Sequence, residues 1–167
     1  MQKYVFRKYN SAYRTFFTSE RKKIAKALGS RVKIAHVGST AIPDLGGKGI
    51  VDIVVGVSKL KLVEAKEKLE KAGYEFREKA SYPDRLFFRI DYPYKNRKRR
   101  IHIHLTKFNG PDWKEMIGFR DYLLQHQEVV EQYVNIKKEG VKKALGDGEK
   151  YRKHKEKFIE NILKKVL

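Results

Sequence analysis

Cysteine is absent from this 167-residue chain, and so is any long uninterrupted apolar run. The absence of cysteine excludes disulfide bonds and thiolate metal sites, and it leaves the redox compartment open. The longest apolar run, Ile50 to Val57, carries Asp52 in its middle, and the N-terminal residues carry charge every few positions. Neither a membrane span nor a signal peptide is therefore expected, and a cytoplasmic location without a membrane partner is the prediction.

The chain also has no linker rich in proline, glycine and serine, no internal repeat and no low-complexity tract. At 167 residues and 41% apolar content it can bury one sizeable core,. We therefore expect a single domain over residues 1–167. Residues 1–110 are predicted to form an N-terminal helix and a sheet, and residues 111–167 to form helices packed on that sheet.

Acidic residues are few relative to basic ones: 39 Lys and Arg against 20 Asp and Glu give a formal net charge of +19. The positive electrostatic field of such a charge raises the local concentration of phosphate-bearing ligands and polyanions, but it does not identify the ligand. A heat-adapted surface of solvated lysines and glutamates is an alternative explanation. Ion pairing does not need so large an excess, which favours a partner that is a nucleotide or another small phosphate-bearing molecule, with RNA as a further candidate.

Hydrophobic periodicity predicts a mixed order of helices and strands. Helical spacing covers residues 11–28, 59–71, 112–125, 127–145 and 147–167, with Ser11 as a candidate N-cap and Gly29 as a stop,. Strand patterns cover residues 31–37, 50–57, 74–79, 86–91 and 100–107, and residues 92–99 are predicted to form a long basic hairpin tip,. The predicted class is α+β: a mixed sheet of about five strands flanked by helices, with a helical C-terminal third.

The loop between the first two predicted strands, residues 36–49, is rich in glycine and hydroxyl side chains. Gly38 lets backbone N–H groups approach an anion closely, and Ser39 and Thr40 add hydrogen-bond donors. Lys48 follows a pair of glycines and can bind a phosphate as a point charge. A plain turn with an ordinary exposed lysine is the alternative.

Asp52 lies inside the predicted buried strand. Because an unpaired buried charge is costly, the carboxylate needs a partner, which is a metal ion, a lysine such as Lys48, or a histidine. Strand alternation places Asp52 on one face of the sheet with Val54 and Gly56. A purely structural ion pair is the alternative.

The segment His36 to Val55 resembles the signature of the GrpB family. Residues 101–105 resemble that family's histidine-rich strand, residues 119–123 its helical motif, and residues 133–137 and 151–155 its tyrosine-lysine pairs. The resemblance spans nearly the whole chain. It implies the nucleotidyltransferase fold, in which a Gly-Ser turn holds a nucleoside triphosphate and carboxylates on neighbouring strands hold magnesium for attack on the α-phosphorus.

The resemblance implies that Ser39 and Asp52 are catalytic, with Asp52 holding a divalent cation, Mg²⁺ or Mn²⁺. The superfamily pattern has a second acid where this chain has Val54, and a lone carboxylate coordinates magnesium incompletely. His102 and His104 share one face of a predicted strand and, in this fold, are candidate replacement ligands beside Asp52. Imidazole and carboxylate together suit a transition metal, whereas two hydrogen-bonded histidines in a sheet are the alternative.

Helical segments carry further candidates for binding a phosphate. Arg120 has a guanidinium suited to bidentate phosphate binding, and the adjacent Asp121 is expected to point elsewhere on the helix. In Tyr151 and Lys155, as in the pair at residues 133 and 137, tyrosine and lysine lie one helical turn apart. The tyrosine can then stack on a base while the lysine binds a phosphate, with ordinary packing on the helix surface as the alternative.

The predicted hairpin interleaves aromatic residues with Arg97, Lys98, Arg99 and Arg100. This composition suits single-stranded RNA or DNA, through base stacking and backbone contacts. The alternative is that these residues form a hairpin tip that is exposed to solvent and has no nucleic-acid partner.

Three functions remain open from the sequence. The first is a nucleotidyltransferase-like protein that binds a nucleoside triphosphate with a divalent cation and transfers a nucleotidyl group to an unknown acceptor. The second is a non-catalytic nucleotide- or RNA-binding module on the same fold, which Val54 favours. The third is a metal-dependent phosphoesterase, which follows if the two histidines and Asp52 hold a transition metal.

Overall fold

The computed structural model of the chain describes residues 6–167. The helices are α1 (Ala12–Leu28), α2 (Leu62–Lys71), α3 (Pro111–Gln125), α4 (Gln127–Ala144) and α5 (Gly148–Val166). The strands are β1 (Lys33–Val37), β2 (Val51–Val57), β3 (Glu75–Phe76), β4 (Arg85–Tyr94) and β5 (Arg97–Lys107). In this described part of the chain, no helix is both long enough and apolar enough to cross a membrane.

The five strands form one mixed sheet in the order β1-β2-β5-β4-β3. The pair β2 and β5 is parallel, and the other neighbours are antiparallel. Helices α3 to α5 make up the C-terminal third. The predicted fold class, a mixed sheet of about five strands with flanking helices and a helical C-terminal third, is confirmed.

One face of the sheet is apolar and is covered by α1 and α2. Alternate residues of β2 and β5 fill this core: Val51, Ile53, Val55, Ile101, Ile103 and Leu105 are fully buried against Ile24 and Leu69 of the two helices. Each such side chain contributes roughly 1.5–3 kcal/mol through burial. Asp52 and Val54 alternate with these residues, so the carboxylate lies on the opposite face, as predicted for β2.

Helix α1 is also held to the sheet by a buried carboxylate. Glu20 is 3% exposed and accepts hydrogen bonds from the hydroxyls of Tyr74 and Tyr92. A buried carboxylate is stable only with such partners. The contact fixes α1 against β4.

A second core joins the helical third to the loop between β1 and β2. Ile42 and Leu45 of that loop are buried against the apolar sides of α3, α4 and α5, including Leu123, Tyr133 and Ile162. Helix α3 also contacts β1, β2 and β5. The loop is therefore clamped between the sheet and the C-terminal helices.

The predicted long hairpin tip is wrong. Tyr92 pairs with Arg99 and Tyr94 pairs with Arg97, so only Lys95 and Asn96 lie between the strands. The Arg99 guanidinium lies 4.9 Å from the Tyr92 ring centroid. Such cross-strand contacts stabilise pairing where the basic composition suggested a loop.

Two further local predictions need correction. The predicted strand at residues 74–79 is limited to Glu75–Phe76 and is followed by a 3₁₀ turn, because the Phe87 N–H of β4 donates to the Ser81 hydroxyl instead of continuing the pairing. Ser11 occupies the N-cap position of α1 as predicted, but its side chain makes no cap bond; Asn10 Oδ1 accepts from the Ala12 N–H at 2.8 Å. Gly29 ends α1 as predicted.

Candidate functional site

Asp52 and the two histidines of β5 meet on the polar face of the sheet. The parallel register pairs Asp52 with His102 and Val54 with His104. His102 Nδ1 lies 3.5 Å and His104 Nε2 lies 3.3 Å from the same oxygen, Asp52 Oδ1. The predicted convergence of these three side chains is confirmed.

An arginine fixes the protonation of His104. Arg85 Nη2 lies 3.4 Å from His104 Nδ1, and because a guanidinium only donates, Nδ1 accepts and Nε2 donates to Asp52. Burial lowers the pKa of His104 despite the nearby carboxylate. Burial alone would raise the pKa of Asp52, but the hydrogen bonds from His102 and His104 bring it below its usual value. The cluster is therefore an ionised aspartate beside a neutral His104.

As arranged here, this donor set is incomplete for a metal ion held by the protein alone. Both His104 nitrogens are engaged, and Asp52 Oδ1 accepts from His104 and lies 3.5 Å from His102 Nδ1. Val54, at the position of the second acid, is fully buried. Across residues 6–167, no group of three histidine, aspartate or glutamate side chains is arranged to hold a metal ion. The metal-ligand role of Asp52, His102 and His104 stays a prediction from the sequence.

Gly38 borders the same carboxylate. Its φ is +74°, and a Cβ added there would lie 2.6 Å from Asp52 Oδ2. Left-handed backbone is strained for residues with a Cβ. Glycine at this position therefore permits both the turn and the placement of Asp52.

Gly38→Ala is expected to lower the free energy of unfolding by about 1–3 kcal/mol more than Gly29→Ala does. Both glycines have positive φ, but no atom lies within 4 Å of a Cβ added at Gly29, so the difference isolates the collision with Asp52. Chemical denaturation of the two variants measures it. Equal destabilisation would show that Asp52 moves aside freely.

The glycine pair at residues 46 and 47 forms the cover of a buried ammonium group. Arg7 forms an antiparallel bridge with Gly47. Lys137 of α4 is 4% exposed, and its Nζ donates to the Gly46 carbonyl at 3.1 Å. A Cβ at Gly47 would lie 3.0 Å from Lys137 Nζ and 2.7 Å from Ser39 Oγ. The missing side chain thus leaves room for the lysine and the serine hydroxyl.

Two more lysines act on the same region. Burial lowers the pKa of Lys137 well below its usual value, and the charges of Lys155 and Lys48 lower it further. Burial and the charge of Lys48 lower the pKa of Lys155 to about 8. The charge of Asp52 opposes both shifts. We call Lys48, Lys137 and Lys155 the lysine cluster.

Each of the two predicted tyrosine-lysine pairs forms a contact within its own helix. Lys137 Nζ lies 4.6 Å from the Tyr133 ring centroid, and Lys155 Nζ lies 4.6 Å from that of Tyr151. Both rings are buried, so they support their lysines and do not offer an open platform for a base. Beside Tyr151 and Lys155, a pocket of about 340 Å³ is lined by basic residues, one tyrosine and the N-terminal end of α5: Lys48, Tyr151, Arg152 and Lys155 with Asp147, Gly148 and Glu149.

The side chains of Arg120 and Thr40 bind other residues of the protein. Arg120 Nη1 donates to the His36 carbonyl at 3.3 Å, and Arg120 Nη2 lies 2.9 Å from Asp121 Oδ1. The expectation that Asp121 points elsewhere is wrong, because the long arginine side chain turns back to its neighbour. Thr40 is 2% exposed, and its hydroxyl lies 2.8 Å from His36 Nε2. These contacts hold the start of the loop.

Known proteins share this arrangement of sheet, loop and helices. The sequence profile described as GrpB protein matches residues 4–165. The chain belongs to the GrpB family. The predicted family membership is therefore confirmed.

Two GrpB proteins are similar over nearly their full lengths. Glutamate-rich protein GrpB of Alkalihalophilus pseudofirmus is 32% identical over 157 residues, which are 92% of this chain and 90% of that protein. The crystal structure of conserved protein GrpB from Enterococcus faecalis superposes with a TM-score of 0.82 at 25% identity, covering 97% of this chain and 96% of that chain.

A more distant likeness reaches the Cid1 poly(U) polymerase bound to MgATP. The TM-score is 0.49 at 14% identity, over 78% of this chain and 45% of that chain. A likeness of this size carries no argument about activity.

The basic residues of the hairpin are divided between the two faces of the sheet in this GrpB-family chain. Arg97 and Arg99 pair with Tyr94 and Tyr92 on the face of α1, whereas strand alternation places Lys98 and Arg100 on the face of Asp52,. Arg100 Nε is bound to Asp91 at 2.8 Å.

Lys137 is the residue of the lysine cluster that the site prediction omitted. A signal for it exists in α4, where buried residues recur at helical spacing: Val130, Tyr133, Lys137, Val141 and Ala144. A lysine inside such an apolar stripe is rarely buried without a partner. Its position was readable from the sequence, but its neighbour Gly46 was not.

Proposed function

We propose that this GrpB-family protein binds the phosphate groups of a nucleoside triphosphate in the lysine cluster. The buried amine of Lys137 carries the proposal. Burial lowers the pKa of this group well below its usual value, and the amine donates to a carbonyl oxygen and lies over a ring,. A phosphate bound beside it would favour the charged form and raise that pKa again.

The surroundings suit a triphosphate better than a single phosphate. Lys48 and Lys155 add two positive charges beside the pocket of about 340 Å³, and Arg152 lines the same pocket. Ser39 Oγ and the glycine-rich loop contribute neutral donors next to Lys137,. Two carboxylates also line the pocket, but Asp147 accepts hydrogen bonds from the N–H groups of Glu149 and Lys150 and Glu149 pairs with Lys153. The three cations of the lining, with Lys137 and Ser39 outside it, suit a ligand with several phosphate groups.

Binding is proposed as the main activity, and transfer of a nucleotidyl group to an acceptor as the second candidate. The charge of the partly exposed Asp52 raises the pKa of Lys137 and of Lys155, so it favours the charged forms of both lysines, and this supports a role for Asp52 in the site. The apolar Val54 at the second acid position argues against fast transfer, since phosphoryl chemistry depends on charge stabilisation by several groups.

Calorimetric titration with ATP, CTP and inorganic tripolyphosphate tests the proposal. We expect all three to bind in the presence of EDTA, because lysines supply the charge, and we expect pyrophosphate release to stay near background with either magnesium or manganese. Absence of binding under every condition would refute the proposal. Rapid pyrophosphate release would make transfer the main activity.

Triphosphate affinity is expected to fall roughly tenfold as the pH rises from about 7.5 to about 10. The pKa of Lys155 is about 8 without ligand, and a bound phosphate raises it, so binding above pH 8 requires proton uptake. Lys155→Arg is the matched control, because arginine stays charged over this range, so the variant should lose the part of the profile that Lys155 contributes and keep the part that comes from Lys137. A profile unchanged by Lys155→Arg would place the phosphates elsewhere.

A further inference from the structure

A second basic pocket lies at the N-terminal ends of β2 and β5, with a volume of about 120 Å³. We call it the hairpin pocket. Its lining combines six cationic side chains with three aromatic rings: Arg7, Lys48, Arg97, Lys98, Arg99 and Arg100 with Tyr13, Phe16 and Tyr94. Of the described residues that line it, none is acidic.

Aromatic rings and guanidinium groups alternate along one side of the hairpin pocket. The Arg99 guanidinium lies 4.3 Å from the Phe16 ring centroid. Arg97 lies 5.7 Å from the Tyr94 centroid, and the rings of Phe16 and Tyr94 are 5.1 Å apart. Flat π surfaces and guanidinium planes of this kind stack on unpaired nucleobases.

One buried donor beside the pocket is left unsatisfied. Arg99 Nε is buried and has no hydrogen-bond partner within residues 6–167. A buried N–H without a partner is unusual in folded proteins, and the Arg99 guanidinium lies against the rings of Phe16 and Tyr92, so an acceptor would have to enter beside those rings. Phosphate or base oxygens are acceptors of that kind.

The hairpin pocket and the pocket of the lysine cluster share one lining residue. Lys48 lines both pockets. On β5, Lys98 and Arg100 share a face with His102, which contacts Asp52,. Lys98 and the Arg100–Asp91 ion pair therefore lie between the turn of the hairpin and the Asp52 cluster on this face of the sheet.

We propose that the hairpin pocket binds single-stranded nucleic acid. Its volume is that of about four water molecules, which admits one base or one phosphate and excludes a duplex. Charge alone would serve a small phosphate ligand, but the partly exposed rings of Phe16 and Tyr94, which meet edge to face, add an aromatic surface that only a base uses. Binding of nucleic acid in the hairpin pocket does not depend on the proposed function. Only contact between that nucleic acid and a triphosphate at Lys48 rests on it.

Fluorescence anisotropy with a labelled oligouridylate of about 12 nucleotides tests the charged part of the pocket. The variant Arg97→Gln, Lys98→Gln alters two exposed side chains, and Lys22→Gln, Lys26→Gln removes the same charge from the exposed surface of α1. The hairpin variant should lose about 1.4 from the slope of log affinity against log salt, at about 0.7 per phosphate contact, and the α1 variant far less. Equal losses in the two variants would overturn the proposal.

Phe16→Leu and Tyr94→Leu, made singly, test the stacking with no change of charge. Either should weaken oligouridylate binding at least fivefold, as expected for about one stacked base, and should leave binding of inorganic polyphosphate unchanged. Thermal unfolding selects the variant that keeps wild-type stability. Equal loss of both ligands, or duplex RNA bound as tightly as the single strand, would refute a site for unpaired bases.

ATP calorimetry on the same hairpin variant separates this inference from the proposed function. Neither Arg97 nor Lys98 lines the pocket of the lysine cluster, so ATP should bind the variant as it binds the wild type. Oligonucleotide binding without ATP binding in the wild type would leave the hairpin inference standing and remove the triphosphate proposal. ATP binding without oligonucleotide binding would do the reverse.

Discussion

Lys137→Met is expected to abolish measurable triphosphate binding and to leave the protein at least as stable as the wild type. Methionine has a similar length and carries no charge, so it removes the cost of burying an ammonium that is 4% exposed,. The same change takes away the central cation of the lysine cluster. Loss of one partner of a buried charged contact weakens binding by about 2–5 kcal/mol.

The two effects of Lys137→Met are measured by ATP calorimetry and chemical denaturation. Lys142→Met is the matched control, because it makes the same replacement at an exposed position of α4. The control should bind ATP as the wild type does. A Lys137 variant that still binds ATP tightly, or that fails to fold, would indicate that this lysine is held for stability and would remove the main support for the triphosphate site.

The sheet could be predicted because its signals are local. The apolar run at Ile50 to Val57 and the alternating pattern at residues 100–107 each fix a strand within a few residues. The position of Asp52 and the common face of His102 and His104 follow from the same alternation. Their meeting came from the family resemblance, since the parallel pairing of β2 with β5 is not encoded in either strand alone.

The lysine cluster could not be predicted in the same way. Lys137 and Gly46 are separated by 91 positions in the sequence, and no local pattern connects α4 with the loop after β1. The loop was recognised from its glycines and hydroxyls, but the cation that meets it comes from the helical third. Tertiary packing around Ile42 and Leu45 brings the two together.

The hairpin was mispredicted for the opposite reason. Its composition, with a proline and many basic residues, is typical of a loop, whereas its pairing is decided by contacts across the strands. Arg99 and Tyr92, seven positions apart in the sequence, stabilise each other only once the turn at Lys95 has formed. The amino-acid composition indicates a charged, exposed surface, but it does not show whether the backbone is paired as strands.

The role of Asp52 distinguishes two sources of the positive charge that would balance bound phosphates: the lysine cluster alone, or a divalent cation. Its carboxylate acts on Lys137 and Lys155, so it repels bound phosphates unless a divalent ion lies between them. A divalent ion held by Asp52 is the arrangement expected from the sequence, whereas Asp52 Oδ1 here accepts from His104 and lies 3.5 Å from His102 Nδ1. If the lysines alone bind the phosphates, removing the Asp52 charge strengthens triphosphate binding. If Asp52 holds a divalent ion, removing that charge weakens it.

Asp52→Asn is expected to strengthen ATP binding in EDTA by about 1–2 kcal/mol, because it removes a negative charge near the phosphates at nearly constant volume. Titrations near pH 6.5 keep Lys155 protonated, since its pKa is about 8,. Asp121→Asn makes the same change at an exposed carboxylate paired with Arg120 and should alter affinity little. Magnesium should change the affinity of the wild type and of Asp52→Asn by the same factor. If magnesium strengthens ATP binding only in the wild type, Asp52 is a cation ligand, and the lysines then act beside a metal ion instead of in its place.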